Sequence, residues 1–290
     1  MIFLRRAAVV VIALLLLVSG IILFLGRTSP LDTHFTIEVV PIIIPNDAVA
    51  VERGRYLANG VAVCVVCHGG DFGGREMVDH PIYGFIHTPN LTTGVGGVGR
   101  YYSDEDWVRA IRHGVNPQGR GIAFMPTDHY WHLSDADLGA IIAYLKQLPP
   151  FDNDKAGTRL NIFTRALINS GAKGNLVRAS FIPHQGPRPA TSNNQAAYLL
   201  QIGGCDFCHG ADLRGGQGPE PGAPPAPSLA NDGPLADWVV EDFVRVMRTG
   251  QTPDGRVIVP AYMPWVGYMH MSDADLVLIW DYLRQLPPTS

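Results

Sequence analysis

Two copies of the pentapeptide C-x-x-C-H constrain this chain more than any other feature of its sequence. The first copy is Cys64-Val65-Val66-Cys67-His68, and the second is Cys205-Asp206-Phe207-Cys208-His209. The chain contains 4 cysteines, and these two motifs use all of them. No cysteine is therefore left over to build a disulfide framework.

Each motif has the chemistry of covalent haem attachment. Two thiols on one turn of chain can each add to a vinyl group of the same porphyrin, and the adjacent histidine then lies under the iron. A zinc ribbon would place its second cysteine pair about 15–20 residues away, whereas here the second pair lies in the other half of the chain. A thioredoxin-like redox motif would need a βαβ setting, which neither copy has. The sequence therefore predicts two covalently attached haem c groups, with His68 and His209 as proximal iron ligands.

A long apolar segment near the N-terminus predicts a membrane helix. Arg5 and Arg6 precede an uncharged run from Ala7 to Gly26 that is rich in Val, Ile and Leu. Twenty helical residues span about 30 Å, the thickness of a bilayer core, and the two arginines favour a cytoplasmic N-terminus with the bulk of the chain outside. The alternative is a cleaved signal peptide, whose apolar region is usually about 7–15 residues long and ends at an A-x-A-like site. We expect a retained transmembrane anchor at 1–26, followed by a tether at 27–50.

Composition excludes one class of partner and predicts an irregular backbone. The formal net charge is −4 and the pI is near 6.2, so the chain lacks the basic surface that nucleic-acid binding requires. It contains 32 glycines and 23 prolines, which predicts short helices separated by loops. Covalent haem would give such a loop-rich chain a large apolar body to fold around.

The rest of the chain is one unit present twice. Ser134 to Leu138 has the sequence Ser-Asp-Ala-Asp-Leu, which recurs at Ser272 to Leu276. Met125-Pro126 recurs as Met263-Pro264 at the same offset. Internal repetition of this kind predicts two domains with the same fold. We place them at 51–150 and 193–290, joined by an interdomain segment at 151–192.

Each unit is predicted to be mainly helical. One helix leads into C-x-x-C-H, a second ends at a glycine C-cap, and a third begins at a serine N-cap followed by acidic residues. An apolar stretch at 160–168 predicts a short helix between the units, while 35–40 has the pattern of an extended piece. The second helices are expected at 103–113 and 236–249, and the third at Ser134 and Ser272.

These motifs resemble the class I c-type cytochrome family across nearly all of both units. The resemblance implies a mainly α fold, with an N-terminal transmembrane helix followed by two tandem cytochrome c-like helical haem domains. The ending Leu-Ser-Asp-x-Asp-Leu, followed by Tyr-Leu-x-x-Leu-Pro-Pro, is similar to that of membrane-anchored multihaem cytochrome c subunits of bacterial respiratory chains and dehydrogenases. The second unit departs from it at Met271, which stands where the first unit has Leu133.

The resemblance implies the distal iron ligands. Met125 and Met263 match the distal methionine of the family, and a thioether opposite histidine raises the haem potential and fills the sixth position. Bis-histidine ligation is the alternative, because His132 and His270 are also in register. Their position beside the start of the third helix suits a loop or capping role better.

The resemblance also implies residues around the proximal ligand. Pro89 and Pro227 match the loop proline whose carbonyl would accept the N–H of the proximal histidine, a bond that fixes the orientation of the ring. A simple turn is the alternative for both prolines. Arg112 and Arg248 are in register too, and each is either a haem-propionate partner or an ordinary arginine on a helix surface.

The function implied by the resemblance is electron transfer. A dihaem c-type cytochrome would relay single electrons between membrane respiratory or dehydrogenase complexes and an acceptor on the extracytoplasmic side, without catalytic residues of its own. One alternative is a dihaem oxidoreductase, peroxidase-like or thiosulfate-oxidising, which would be expected to leave one iron five-coordinate or give it an unusual ligand. Another is an obligate subunit of a larger dehydrogenase or oxidase.

Overall fold

The computed structural model describes residues 2–155, 157–171, 176–185, 191–218 and 223–287. It confirms a mainly helical fold with a long apolar helix at the N-terminus. The Pro187–Pro189 linker, Pro288 and part of the proline-rich loop at 219–227 lie outside the described residues.

Twelve α-helices and five short strands follow one another along the described ranges. The helices are α1 (Ile2–Gly26), α2 (Ala48–Tyr56), α3 (Cys64–His68), α4 (Asp104–His113), α5 (Thr127–Tyr130), α6 (Asp135–Leu145), α7 (Ile162–Asn169), α8 (Gln195–Ile202), α9 (Cys205–His209), α10 (Val240–Thr249), α11 (Trp265–Tyr268) and α12 (Asp273–Arg284). The strands are β1 (Glu76–His80), β2 (Gly84–His87), β3 (Arg159–Leu160), β4 (Arg214–Gly216) and β5 (Ala226–Ser228).

Local capping sets the ends of several helices. The Ser103 hydroxyl accepts the Asp106 backbone N–H at 3.1 Å, and the Asp106 carboxylate accepts the Ser103 backbone N–H at 3.0 Å. These two bonds form a capping box at the start of α4. The same helix ends at Gly114, whose φ of 65° suits the left-handed C-cap. The prediction for the second unit was wrong at its start, because Ala236 lies in a 3-10 turn. There the helix begins at Val240, and the Asp242 carboxylate accepts the N–H of the preceding residue, Val239, at 3.2 Å.

The third helix of each unit buries its apolar face in one continuous core. Leu138, Ile141, Ile142 and Leu145 of α6 are all buried, as their spacing predicted. Helix α6 packs against α2, and α12 packs against α8 in the equivalent way. Residues from both units contribute to the same hydrophobic cluster, so burial of apolar surface holds the two units together.

Two tyrosines cross between the units in a symmetric arrangement. Tyr56 of the first unit donates to Asp275 of the second, and its hydroxyl accepts the Ser272 N–H at 3.3 Å. Tyr198 of the second unit donates to Asp137 of the first at 2.8 Å, and its hydroxyl accepts the Ser134 N–H at 3.2 Å. Each tyrosine therefore binds the cap of the other unit's last helix.

The units also meet at the residue before each attachment motif. Val63 has a left-handed backbone with φ 45°, and a Cβ atom added to Gly267 would lie 2.6 Å from its Cγ1. In the mirror contact, Gly204 has φ 70° and lies against the ring of His129, whose Nδ1 is 3.4 Å from the Asp206 carboxylate. In each contact a larger residue lies against a glycine. In the first contact the larger residue is the one before the attachment motif, and in the second it is the one on α5.

A three-stranded antiparallel sheet is the main feature that the sequence did not predict. Strands β1 and β2 form a hairpin, and β3 from the interdomain segment pairs with β2. The stretch at 35–40 forms no strand; an isolated bridge joins His34 to Arg120. The tether nevertheless packs on the first unit, where the Phe35 N–H donates to the Gly119 carbonyl at 2.8 Å and Val39 is buried.

Candidate haem sites

The histidine of each C-x-x-C-H motif is oriented by the carbonyl of a loop proline. His68 Nδ1 lies 2.9 Å from the Pro89 oxygen, and His209 Nδ1 lies 2.8 Å from the Pro227 oxygen. A carbonyl can only accept, so Nδ1 carries the proton and donates it. The lone pair is left on Nε2, which is the atom that a metal would take.

Burial keeps both imidazoles in the neutral form that binds metals. It lowers the pKa of His68 and of His209, and this effect exceeds the opposite effect of the hydrogen bonds to Pro89 and Pro227. Each ring is therefore neutral, fixed in one tautomer and ready to donate through Nε2.

The four cysteines are free thiols at the first and fourth positions of two five-residue helices. Cys64 and Cys67 lie on α3, and Cys205 and Cys208 lie on α9. Burial raises the pKa of Cys64 and of Cys205 to about 12 in each case, so both stay protonated near neutral pH. Each pair thus presents two thiols on one short turn, beside its histidine.

The two methionines occupy equivalent turns. Met125 and Met263 are half-buried and pack against the core cluster that Cys64 and Cys205 also contact. The carbonyl of Met125 accepts the Thr127 N–H at 2.8 Å, and that of Met263 accepts the N–H two residues on at the same distance. The structure thus gives both thioethers the same local setting.

A pair of buried tyrosines links each methionine turn to its attachment helix. Tyr130 donates to the Ala62 carbonyl at 2.6 Å, and Tyr268 donates to the Gly203 carbonyl at 2.6 Å. Sequence reasoning missed both, although they are in register between the repeats. Because the bond joins the α5 or α11 turn to the loop before the first cysteine, it brings the two sides of each candidate site together.

The alternative ligands differ between the units. His132 is half-buried, whereas His270 is exposed. Met125 and Met263, by contrast, are both half-buried.

The paired arginines hold loops in place. Arg112 donates to the Leu133 carbonyl at 3.1 Å and lies 2.8 Å from the Asp135 carboxylate. Arg248 donates to the Met269 carbonyl at 2.7 Å and pairs with the first residue of α12, Asp273, at 2.5 Å. Both guanidinium groups therefore brace the turn before the last helix of their unit.

The side chains present fit a covalently attached haem in each unit. Each site offers two thiols, a neutral imidazole with Nε2 available and a thioether, which together are the donor set of a class I cytochrome. Among the residues that the structure describes, no three side chains of His, Cys, Asp and Glu converge as a bare metal site would need.

Comparison with known proteins points to the same chemistry. Residues 49–145 match the family described as cytochrome c oxidase, cbb3-type, subunit III. The chain is 27% identical to the fructose dehydrogenase cytochrome subunit of Gluconobacter japonicus over 82% of this chain and 53% of that protein. It is also 27% identical to the cytochrome c subunit of the quinone alcohol dehydrogenase of Gluconacetobacter polyoxogenes, over 83% of this chain and 57% of that one.

A third relative is described as a diheme cytochrome c-type protein. It comes from Cereibacter sphaeroides and is 27% identical over 63% of this chain and 64% of its own length. The chain thus spans about half the length of the two dehydrogenase subunits and about two thirds of this one.

Proposed function

Because the chain belongs to the cytochrome c family, we propose that it is a membrane-anchored dihaem electron-transfer subunit of a larger dehydrogenase complex. One haem would be attached in each unit, at 51–150 and 193–290. Single electrons would pass between a dehydrogenase partner and a redox acceptor on the extracytoplasmic side. The names of the relatives support this assignment. The main support is that both units have the same set of candidate haem-binding residues.

The observation that supports two haems is the repeated histidine–proline contact. It occurs at 2.9 Å in the first unit and 2.8 Å in the second, although the loops between histidine and proline differ in sequence and length. A bound haem supplies a one-electron couple of its iron. His68 and His209 would hold that iron through Nε2, the four thiols would fix the macrocycle, and Met125 and Met263 would close the sixth position against water.

Contacts at the end of α1 support a retained anchor. This helix is long and apolar enough to cross a membrane, a property it shares with signal sequences. Its last residues, however, are held by the folded domain. Asn169 of α7 donates to the Leu25 carbonyl at 2.7 Å and to the Thr28 carbonyl at 3.1 Å, and Gly26 is buried against Ile162. Cleavage after the apolar run would remove part of this interface.

Haem content and the visible spectrum test the proposal. We expect two covalent haems per chain, both low-spin, with the weak far-red band of methionine–iron ligation when oxidised. Met263→Ala should lower the potential of one haem and remove part of that band, because the thioether is replaced by a weaker ligand or none. Met269→Ala is the matched control, since Met269 lies on the same turn but is 40% exposed.

Two results would contradict the proposal. An unchanged redox titration and spectrum in Met263→Ala would reject Met263 as a ligand. A high-spin component in the unmodified protein, or carbon monoxide binding to one reduced haem, would show an open iron and put the dihaem oxidoreductase first.

A further inference from the structure

We propose that the first unit lies on the bilayer through a second contact, the membrane patch, formed by Ile82 and Tyr83 at the tip of the β1–β2 hairpin and by Ile162 and Phe163 at the start of α7. The inference rests on the proposed anchor and goes beyond it. A lipid surface is then the partner of a part of the chain outside α1, and the first unit is the one that faces the membrane.

The depth of the patch follows from the length of α1. Counted from the cytoplasmic arginines, the run Ala7 to Gly26 is about 30 Å long as a helix, which equals the hydrocarbon thickness. Gly26 therefore lies at the outer boundary of the hydrocarbon. A Cβ atom added to Gly26 would be 2.4 Å from both the Cγ1 and the carbonyl oxygen of Ile162. Ile162 is thus at the same depth, where acyl chains meet headgroups.

The hairpin tip is joined to the same end of α7. The Asn161 N–H donates to the Tyr83 carbonyl at 3.4 Å, and the Asn161 side chain donates to the Pro81 carbonyl. Thr164 Oγ1 donates to the Ile82 carbonyl at 3.5 Å. The tip and the first turn of α7 therefore form one surface beside the exit of α1.

The side chains on this surface are apolar or aromatic and are exposed. Ile82 is 52% exposed and Tyr83 48%, and Ile162 and Phe163 are each 38% exposed. Aromatic residues concentrate at membrane interfaces, where a ring can lie between acyl chains and headgroups. The Arg27 guanidinium, which lies 4.1 Å from the Phe24 ring centroid just past the helix, adds a positive charge at headgroup level.

The base of the hairpin is fastened to the first attachment motif. Thr88 Oγ1 donates to the Cys67 carbonyl at 2.7 Å, Arg75 donates to the Val66 carbonyl at 3.0 Å, and the Gly74 N–H donates to the His68 carbonyl at 2.9 Å. The hairpin therefore spans from the first haem site to the bilayer, and the first site is held at the membrane surface.

Lipid photolabelling of the full-length holoprotein tests the inference. The protein is reconstituted into vesicles of phosphatidylethanolamine and phosphatidylglycerol that contain a phospholipid with a diazirine near its glycerol end. After illumination, labelled peptides are identified by mass spectrometry. Tyr101 provides the internal control, because it is an aromatic residue of the same unit and is 64% exposed.

Each outcome decides a separate point. We expect label on α1 and, at several-fold higher density than on the Tyr101 peptide, on the peptides that carry Ile82–Tyr83 and Ile162–Phe163. Label on α1 with none on those peptides would overturn the membrane patch while the anchor stands. Equal label on the Tyr101 peptide would also overturn it, and absence of label on α1 would overturn the anchor and the patch together.

Discussion

Adding one methyl group at Gly267 should destabilise the contact between the two units by an amount that depends on Val63. The new Cβ would lie 2.6 Å from Val63 Cγ1, 2.8 Å from Val63 Cβ and 2.8 Å from Val66 Cγ2. Both neighbours are β-branched and cannot turn away freely. Overpacking of this kind costs about 1–3 kcal/mol, and the gain of about 1 kcal/mol in helix propensity from Gly→Ala offsets part of it. We expect Gly267→Ala to lower the free energy of unfolding by up to about 2 kcal/mol.

Removing the opposing side chain should relieve most of that cost. Val63→Gly deletes two of the three close atoms. It also removes the cost of holding a valine in the left-handed backbone conformation, about 1–2 kcal/mol. In the Val63→Gly background, Gly267→Ala should therefore cost less, with a coupling free energy of about 1 kcal/mol or more. Gly157→Ala is the control, because a Cβ there meets nothing within 4 Å, and it should leave stability unchanged or slightly raised.

Guanidinium denaturation of the detergent-solubilised holoprotein measures these changes. Tryptophan fluorescence is quenched by haem and returns on unfolding, so the midpoint is read directly, and the slope must stay constant for the comparison to hold. An identical cost of Gly267→Ala with and without Val63 would refute the reasoning, since it would show that the two residues are not in contact.

Two further predictions concern the unit interface and the response to pH. Tyr56→Phe should lower stability by roughly 1–2 kcal/mol, because it leaves the half-buried Asp275 carboxylate without its side-chain donor. Tyr198→Phe should cost less, because Asp137 keeps its pairing with an arginine of α2 at 2.9 Å; equal losses in denaturant titrations would contradict this asymmetry. Burial lowers the pKa of His87 below its usual value near 6.5. The contribution of His87 to the free energy of unfolding is therefore fully present above pH 6.5 and is lost as the pH falls towards the lowered pKa. The reason is that, as the pH falls, the unfolded state takes up a proton on this residue before the folded state does. His87→Gln should flatten the dependence of the denaturation midpoint below pH 6.5, and an unchanged slope would assign the acid sensitivity to other groups.

The sequence predicted the features that are encoded locally. The attachment motifs, the serine caps at Ser134 and Ser272 and the glycine C-cap of α4 each depend on residues a few positions apart, so their spacing is readable. The candidate iron ligands were readable for a second reason, because the repeat aligned Met125 with Met263.

Features that depend on residues far apart in the chain could not be predicted from the sequence. Strand β2 is completed by Arg159 and Leu160, and no local pattern links those positions. Each tyrosine of the unit interface is followed by a leucine, as Tyr56-Leu57 and Tyr198-Leu199, but repetition alone does not say whether a side chain binds its own unit or the other one. That choice is made by packing of the whole chain, and propensity carries no information about it.

The crossed tyrosine contacts have the symmetry of an isologous dimer interface, in which the same patch is used by both halves. In two separate identical chains, such an interface forms only as far as concentration allows. Here one polypeptide carries both halves, so the effective concentration of each half for the other is set by the connecting segment and does not change on dilution. Both halves of the tyrosine interface are also already occupied within one molecule. A further copy of the chain finds no vacant half to bind, so this surface closes on itself and cannot propagate into a filament.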